Sequence, residues 1–308
     1  MKIALRICAE TYRSTREGVP RLVEILQQHK VGATFLFSLG PDQTGRAVRQ
    51  GFSHQAMRRA EHESAIERYG FPTLLYGTVL PAPDISHRCT SILTETKSAG
   101  FDTAVHGWNP QQWLGQINSA NATWTATQMQ RAHQRYKEIF GDDAGGHGAA
   151  KWQMNVHALR LTQRLGYRWA SDCRGTHPFV PVWNGEPIHC AQLPTSLPTF
   201  DELIGRDGHT AENVHQQLLK MTASTQSTEH VFSLTADFAR MKLNSTLNSL
   251  LVGWAEQGHE ICSLDTLRNS LDFATLPRHE LIFRTVAGRA GLLLTQGDEF
   301  LSTWKEAA

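Results

Sequence analysis

The sequence predicts an α/β protein built as a (β/α) barrel, and three observations carry that prediction. Strand-like and helix-like segments alternate along most of the 308 residues, in roughly seven or eight β-then-α units, the pattern of parallel strands joined by crossover helices. No Gly-x-Gly-x-x-Gly follows the first strand, so an open dinucleotide-binding sheet lacks its main support. Glu10, His106, Asp172 and the run Thr235-Ala236-Asp237 fall at the C-terminal ends of strand-like segments, where parallel barrels collect reactive groups.

Each element has a local cause. Ile3 to Ile7 alternates apolar with polar or small residues and reads as the first strand. Ser14 and Glu17 stand at capping-box spacing before a helical stripe of Val19, Leu22, Val23, Ile25 and Leu26. Ala33 to Phe37 is rich in β-formers. Residues 55–69 and 87–99 read as helices, and Phe101 to Val105 as a strand leading into His106. A polar helix over 125–140 is stopped by Gly141. The Gly-rich Ala144 to Ala150, carrying His147, is ambiguous. A helix from Val156 to Leu165 closes at Gly166, and Tyr167 to Ala170 is a short strand running into Ser171-Asp172. Strands follow at Ile188 to Leu193, His230 to Leu234 and Glu260 to Cys262, with helices over 211–222 and 243–257 between them. Residues 40–85 read as an insertion between the second and third strands, and the tail 277–308 as ending in a short helix.

Composition narrows the function. Thirty Lys and Arg against 29 Asp and Glu leave a formal charge of +1, so no broad basic footprint for nucleic acid exists. Apolar runs are too short to span a bilayer. The start, Met1 to Ile7, reads as a strand rather than a signal peptide. Five scattered cysteines without a Cys-x-x-Cys argue against a disulfide framework and for a reducing compartment. His-Glu-x-x-His, Gly-Lys-Ser/Thr and Gly-x-Ser-x-Gly motifs are missing. Taken singly, an Asp or His at a strand end most often caps the next helix. The run Asp201, Glu202, Arg206, Asp207 most often forms a solvated, mutually neutralised turn, its alternative being a loop that faces sugar or phosphate. Thr199 and Glu202 again have capping-box spacing.

Several motifs together resemble a known family. They are Thr15-Arg16-Glu17-Gly18-Val19-Pro20-Arg21-Leu22, Gly40-Pro41-Asp42, Ser171-Asp172-Cys173-Arg174-Gly175, the fifteen residues from Leu193 to Asp207, and Ala287-Gly288-Arg289. The chain is similar, from about residue 3 to 292, to the formamido-arabinose deformylase branch of the polysaccharide deacetylase (NodB-homology) family. The resemblance implies a deformed (β/α)7 barrel over residues 1–275, with an inserted helical segment at about 43–85 and an extension, 276–308, packing on the barrel. It implies a hydrolase of amide bonds that uses one divalent, zinc-like metal. The substrate class would be a polyprenyl-phosphate-linked amino sugar, in the pathway that adds aminoarabinose to lipid A and confers polymyxin resistance. Asp172, Arg174, Asp201 and Arg206 would then lie on the substrate side. Cytoplasmic placement follows, with at most peripheral contact with the inner membrane through residues 46–66, where Arg46, Arg49, Arg58 and Arg59 would meet anionic headgroups.

The family's reactive shell is largely replaced here. Cys8 stands at the position of the catalytic base, and Glu10 at that of the metal-binding Asp. His106 is kept, but the second His of the metal pair is Pro110. The Arg expected after Trp152 is Gln153, and Thr235 holds the place of the late acid His. Loss of one general acid or base costs about 10²–10⁴ in rate, and disturbing a group behind a metal ligand costs roughly 10–100-fold. The sequence therefore predicts a protein that binds a sugar-phosphate lipid with weak or no hydrolysis, and that is metal-free if Pro110 abolishes the site. Its alternative is an active hydrolase with a rebuilt zinc-like centre of Glu10, His106, His147 and Asp237, with Cys8 as thiolate ligand or nucleophile.

Overall fold

The computed structural model describes residues 1–49, 69–223, 229–237, 243–289 and 291–301. Its framework is an eight-stranded parallel sheet. The strands are β1 (Lys2–Ala9), β2 (Thr34–Ser38), β3 (Asp102–Gly107), β4 (Gly146–His147), β5 (Trp169–Ala170), β8 (Ala191–Gln192), β9 (His230–Thr235) and β10 (Glu260–Cys262). β1 lies at the centre. β9 pairs along one edge from Ile3 to Cys8, while β10 and β2 share the other, at Lys2–Ala4 and Arg6–Ala9 respectively. The sheet runs on through β3, β4 and β5 to β8. The Ser196 and Leu197 N–H groups then donate to the Val231 carbonyl of β9, and the Val231 N–H to Ser196 Oγ, so the sheet curls into a deformed barrel.

β1 shows why a parallel strand reads as an almost continuous apolar run: both faces are covered. Ile3, Leu5, Ile7 and Ala9 pack outward with Val19, Leu22 and Leu26 of the helix Val19–His29 and with Trp254 of the helix Asn244–Glu256. Ala4 and Cys8 point inward, where they meet Leu36, Ala104, Trp169, Leu193, Val231 and Cys262. Side chains thus fill the lumen. Gly146 is small for the same reason, since a Cβ there would lie 2.2 Å from the Trp169 ring.

Most predicted helices form, at Val19–His29, Thr90–Ser98, Ala122–Phe140, Val156–Arg164, Val214–Thr222 and Asn244–Glu256. The expected helix at 55–69 lies almost wholly outside the described residues. Three details differ from the sequence reading. Ser14 makes no capping box; its Oγ accepts from the Thr11 N–H, and Ser14–Gly18 is a wide π-type turn. The strand expected at Ile188 to Leu193 shrinks to Ala191–Gln192, because the Cys190 N–H turns back to the Ile188 carbonyl. The tail forms an antiparallel hairpin, β11 (Arg278–Thr285) with β12 (Leu292–Glu299), so a strand and not a helix directly follows Gly291, while the tail's end at 302–308 lies outside the described residues. That hairpin buries Leu281, Leu293 and Leu294. It joins β6 (Val180–Trp183) and β7 (Glu186–Pro187) in a second, four-stranded sheet at the side of the barrel.

Gly146→Ala is expected to destabilise the fold by about 1–3 kcal/mol through overpacking against Trp169, read as a lowered midpoint in urea unfolding followed by far-UV circular dichroism.

Candidate functional site

The C-terminal ends of the parallel strands place the expected residues in two adjoining groups. The first centres on His106, near the end of β3 and 3% exposed. Its Nδ1–H donates to the Gly148 carbonyl at 2.6 Å, and its Nε2 faces Glu10 Oε1 at 3.2 Å, just past the end of β1. Lys151 Nζ stands 3.8 Å from the other Glu10 oxygen. Burial pushes His106 below the ordinary imidazole range, with Glu10 pulling the other way. Pro110, which the resemblance sets at a metal-His position, opens the helix Pro110–Gln116 behind an Asn109 cap whose Oδ1 accepts from the Gln112 N–H. Proline suits that first helical position and offers no donor atom.

Beneath this pair, Arg6 projects into the lumen between Ala4 and Cys8 and is 2% exposed. Its Nη1 donates to Cys8 Sγ at 2.8 Å and to Ser233 Oγ at 2.9 Å; its Nη2 donates to the Ala149 carbonyl at 2.8 Å. Burial raises the Cys8 thiol above its ordinary value, outweighing the lowering by Arg6. Cys8 therefore holds its proton at neutral pH, and a neutral thiol is a poor base, nucleophile and metal ligand. Thr235 is in register with Cys8 on the neighbouring strand, and its hydroxyl is buried. Asp237 is buried two residues further on.

His147 belongs to the other group. Asp172, fully buried, accepts through Oδ1 from His147 Nδ1 and from the Ala149 N–H, each at 2.7 Å. The His147 ring stacks on Tyr167. Asp172 thus orients an imidazole and shapes the wall between β4 and β5. The structure brings Glu10 to His106 and His147 to Asp172. Among the described residues no three His, Cys, Asp or Glu side chains stand together in a way that could hold a metal ion. A catalytic zinc-type centre takes three protein ligands, and Glu10 with His106 supplies two, so the donor set does not complete such a shell.

Above the mouth lies the stretch 193–207. Thr199 and Glu202 form the capping box that their spacing predicts, at the start of the short helix Phe200–Leu203. Glu202 is 3% exposed. It accepts from Arg174 Nη1 at 3.0 Å and from Arg289 Nε at 2.7 Å. Arg289 also pairs with Asp201 at 2.8 Å. Gly288, at φ +84°, passes so close that a Cβ would lie 2.9 Å from the Glu202 Cα. Trp152, held by its indole N–H to Thr195 Oγ1, has the Arg6, Arg174 and Arg289 guanidiniums 4.9 to 5.6 Å from its ring, within cation–π range. Arg206 is exposed. Sequence reasoning singled out Asp201 and Arg206 from this stretch and passed over Glu202, Arg289, Arg6 and Ser233 as site residues. The capping-box spacing and the Ala287-Gly288-Arg289 motif were the signals for the first two.

No protein-family model matches the chain. Among curated proteins, it is 28% identical over 295 residues to a protein of Shewanella sediminis named as a 4-deoxy-4-formamido-L-arabinose-phosphoundecaprenol deformylase, covering 96% of this chain and 94% of that one. A protein of the same name from Wigglesworthia glossinidia brevipalpis is 27% identical over 285 residues, covering 92% of this chain and 98% of that one. Among solved structures, a protein from Mycobacterium smegmatis described as a polysaccharide deacetylase superposes with TM-score 0.60 at 15% identity, covering 92% and 95%. A family 4 acetyl xylan esterase from Clostridium thermocellum, solved with a cobalt ion, superposes with TM-score 0.51 at 10% identity, covering 88% and 91%. The resemblance read from the sequence holds: the chain is homologous to these deformylases over nearly its whole length and has the parallel-strand fold of the deacetylases.

Glu202→Gln removes the buried counter-charge of Arg174 and one of two carboxylates on Arg289, which keeps Asp201; breaking a buried pair such as Arg174–Glu202 costs about 3–5 kcal/mol. Urea unfolding is expected to show that loss for Glu202→Gln, against a change within about 0.5 kcal/mol for the exposed Arg206→Ala.

Proposed function

We propose that this protein, a homologue of the formamido-arabinose deformylases, binds a polyprenyl-phosphate-linked amino sugar at the barrel mouth and hydrolyses it weakly or not at all. One observation supports the reading: Cys8, which the resemblance assigns to the base position, is a thiol kept neutral by burial while it accepts from Arg6 at 2.8 Å. Deformylation needs water deprotonated beside the amide carbon and a proton delivered to the leaving nitrogen. Neither Cys8 nor the Thr235 hydroxyl performs either transfer at neutral pH. Glu10, the carboxylate beside His106, is engaged with His106 and Lys151.

The binding side of the proposal rests on two surfaces. A cleft of about 390 Å³ is lined by Gln43, Arg46, Ala47, Gln111, Gln112, Gly115 and Gln116, on the side where β3 ends. Amides that both donate and accept suit sugar hydroxyls, and a guanidinium suits phosphate. Nearby, Phe71 is 63% and Val79 76% exposed, and the Arg46 N–H donates to the Tyr76 carbonyl, tying these turns to the cleft. Exposed apolar side chains beside arginines suit peripheral contact with an anionic bilayer. Among the described residues no helix is long and apolar enough to cross a membrane.

A second reading, an active hydrolase with a rebuilt metal centre, is favoured by the Glu10–His106 approach alone, since two donors 3.2 Å apart could share a cation. Formate release from a short-chain polyprenyl-phosphate formamido-arabinose separates the two. The expected result is saturable binding, read by tryptophan fluorescence, with formate release at least about 10²-fold below that of an intact homologue assayed in parallel. Release at a comparable rate, abolished by Glu10→Ala, would establish the hydrolase instead. Arg46→Ala is expected to weaken binding roughly tenfold, the loss of one charge-assisted hydrogen bond.

A further inference from the structure

Outside the barrel mouth, two histidines meet nitrogen to nitrogen. His177 follows the Arg174-Gly175-Thr176 segment, and His279 lies on β11. Their Nε2 atoms are 3.2 Å apart, with the ring planes at 73°. With both rings neutral, the surrounding hydrogen bonds place each proton on Nδ1. His279 Nδ1 faces the Gly297 carbonyl at 3.0 Å, and a carbonyl only accepts, so Nδ1 carries the proton and Nε2 a lone pair. Gln296 Oε1 accepts from the Thr176 N–H at 2.8 Å, which turns its amide nitrogen toward His177 Nε2 at 3.1 Å. An amide nitrogen only donates, so His177 Nε2 is also a lone pair, and His177 Nδ1–H donates to Thr176 Oγ1 at 2.8 Å.

In that form both Nε2 atoms are acceptors 3.2 Å apart, and the Gln296 amide donates to one of them. We propose that His177 and His279 form the nucleus of a divalent transition-metal site of the zinc class, separate from the barrel mouth. The spacing matches the donor–donor edge of a tetrahedron, about 3.3 Å for a Zn–N bond of ~2.0–2.1 Å. Each Nδ1–H is already held by an oxygen, the arrangement that orients metal-binding imidazoles and raises their basicity. Neutral imidazole suits zinc, copper and nickel in preference to magnesium or calcium. Both histidines are half-buried, so the remaining coordination positions open to water. The ion would displace the Gln296 amide from His177.

Such an ion would clip the tail to the mouth. The Arg174 N–H donates to the Leu294 carbonyl, and the Gln296 N–H to the Arg174 carbonyl, so the segment that His177 terminates is already laced to β12. A cation bound only by the folded form stabilises it by mass action, and the gain here would fall on β12 and on the Arg174 loop.

The test uses the full chain, stripped with chelator and titrated with zinc chloride by calorimetry, and with cobalt chloride by visible absorption. The expected result is one equivalent of zinc, a cobalt spectrum of a low-coordinate nitrogen site, and slowed amide exchange along β12. His177→Gln and His279→Gln should each weaken binding at least tenfold and abolish the exchange effect, while Glu10→Ala leaves both in place. Far-UV circular dichroism confirms that each variant is folded, and His177→Ala and His279→Ala serve if a Gln variant is not. Zinc binding that survives both histidine replacements and disappears in Glu10→Ala would overturn the proposal and move the ion to the mouth. No binding at millimolar zinc would overturn it as well, leaving a shared proton as the bridge.

Discussion

One carboxylate holds the upper half of the molecule together. Glu202 sits between the Arg174 and Arg289 guanidiniums, and through them fastens the end of β5, the loop after β8 and the tail hairpin to a single point. Removing two positive charges and one negative charge from water is costly, and the cost is recovered only where geometry and supplementary hydrogen bonds are good. Here they are: Glu202 Oε2 also accepts from the Thr199 N–H, Arg174 also donates to the Leu197 carbonyl, and Arg289 to Thr199. The Trp152 ring lies alongside both guanidiniums. The tail extension is in this sense part of the mouth.

The barrel interior below obeys the opposite logic. Arg6 is a buried cation for which no carboxylate lies within ion-pair distance among the described residues; its partners are a thiol, a hydroxyl and a carbonyl. The Cys8 thiol keeps its proton, so the groups that meet this guanidinium within hydrogen-bond distance are all neutral.

Much of this was legible in the sequence, and the failures have physical causes. The parallel strands were visible because β1, β2 and β9 are covered on both faces and read as dense apolar runs. His106, Glu10 and Asp172 were visible because strand ends collect chemistry in this fold. The hairpin strand at 292–299 was not legible because Leu292, Leu293 and Leu294 fit a helical stripe as well as a strand, and pairing with β11 decides between them. Glu202 was passed over in favour of Asp201 and Arg206 because local spacing makes all three look like a solvated turn. Its burial comes from Arg174, 28 residues away, and Arg289, 87 residues away. The His177–His279 approach spans 102 residues and leaves no local trace at all.

The packed lumen has a consequence for recognition. Leu36, Ala104, Trp169, Leu193 and Val231 interlock inside the barrel, so side chains give it a solid floor. Whatever enters from the mouth meets this floor, so the side chains above it, Glu10, His106 and Lys151 among them, are the ones left to face it.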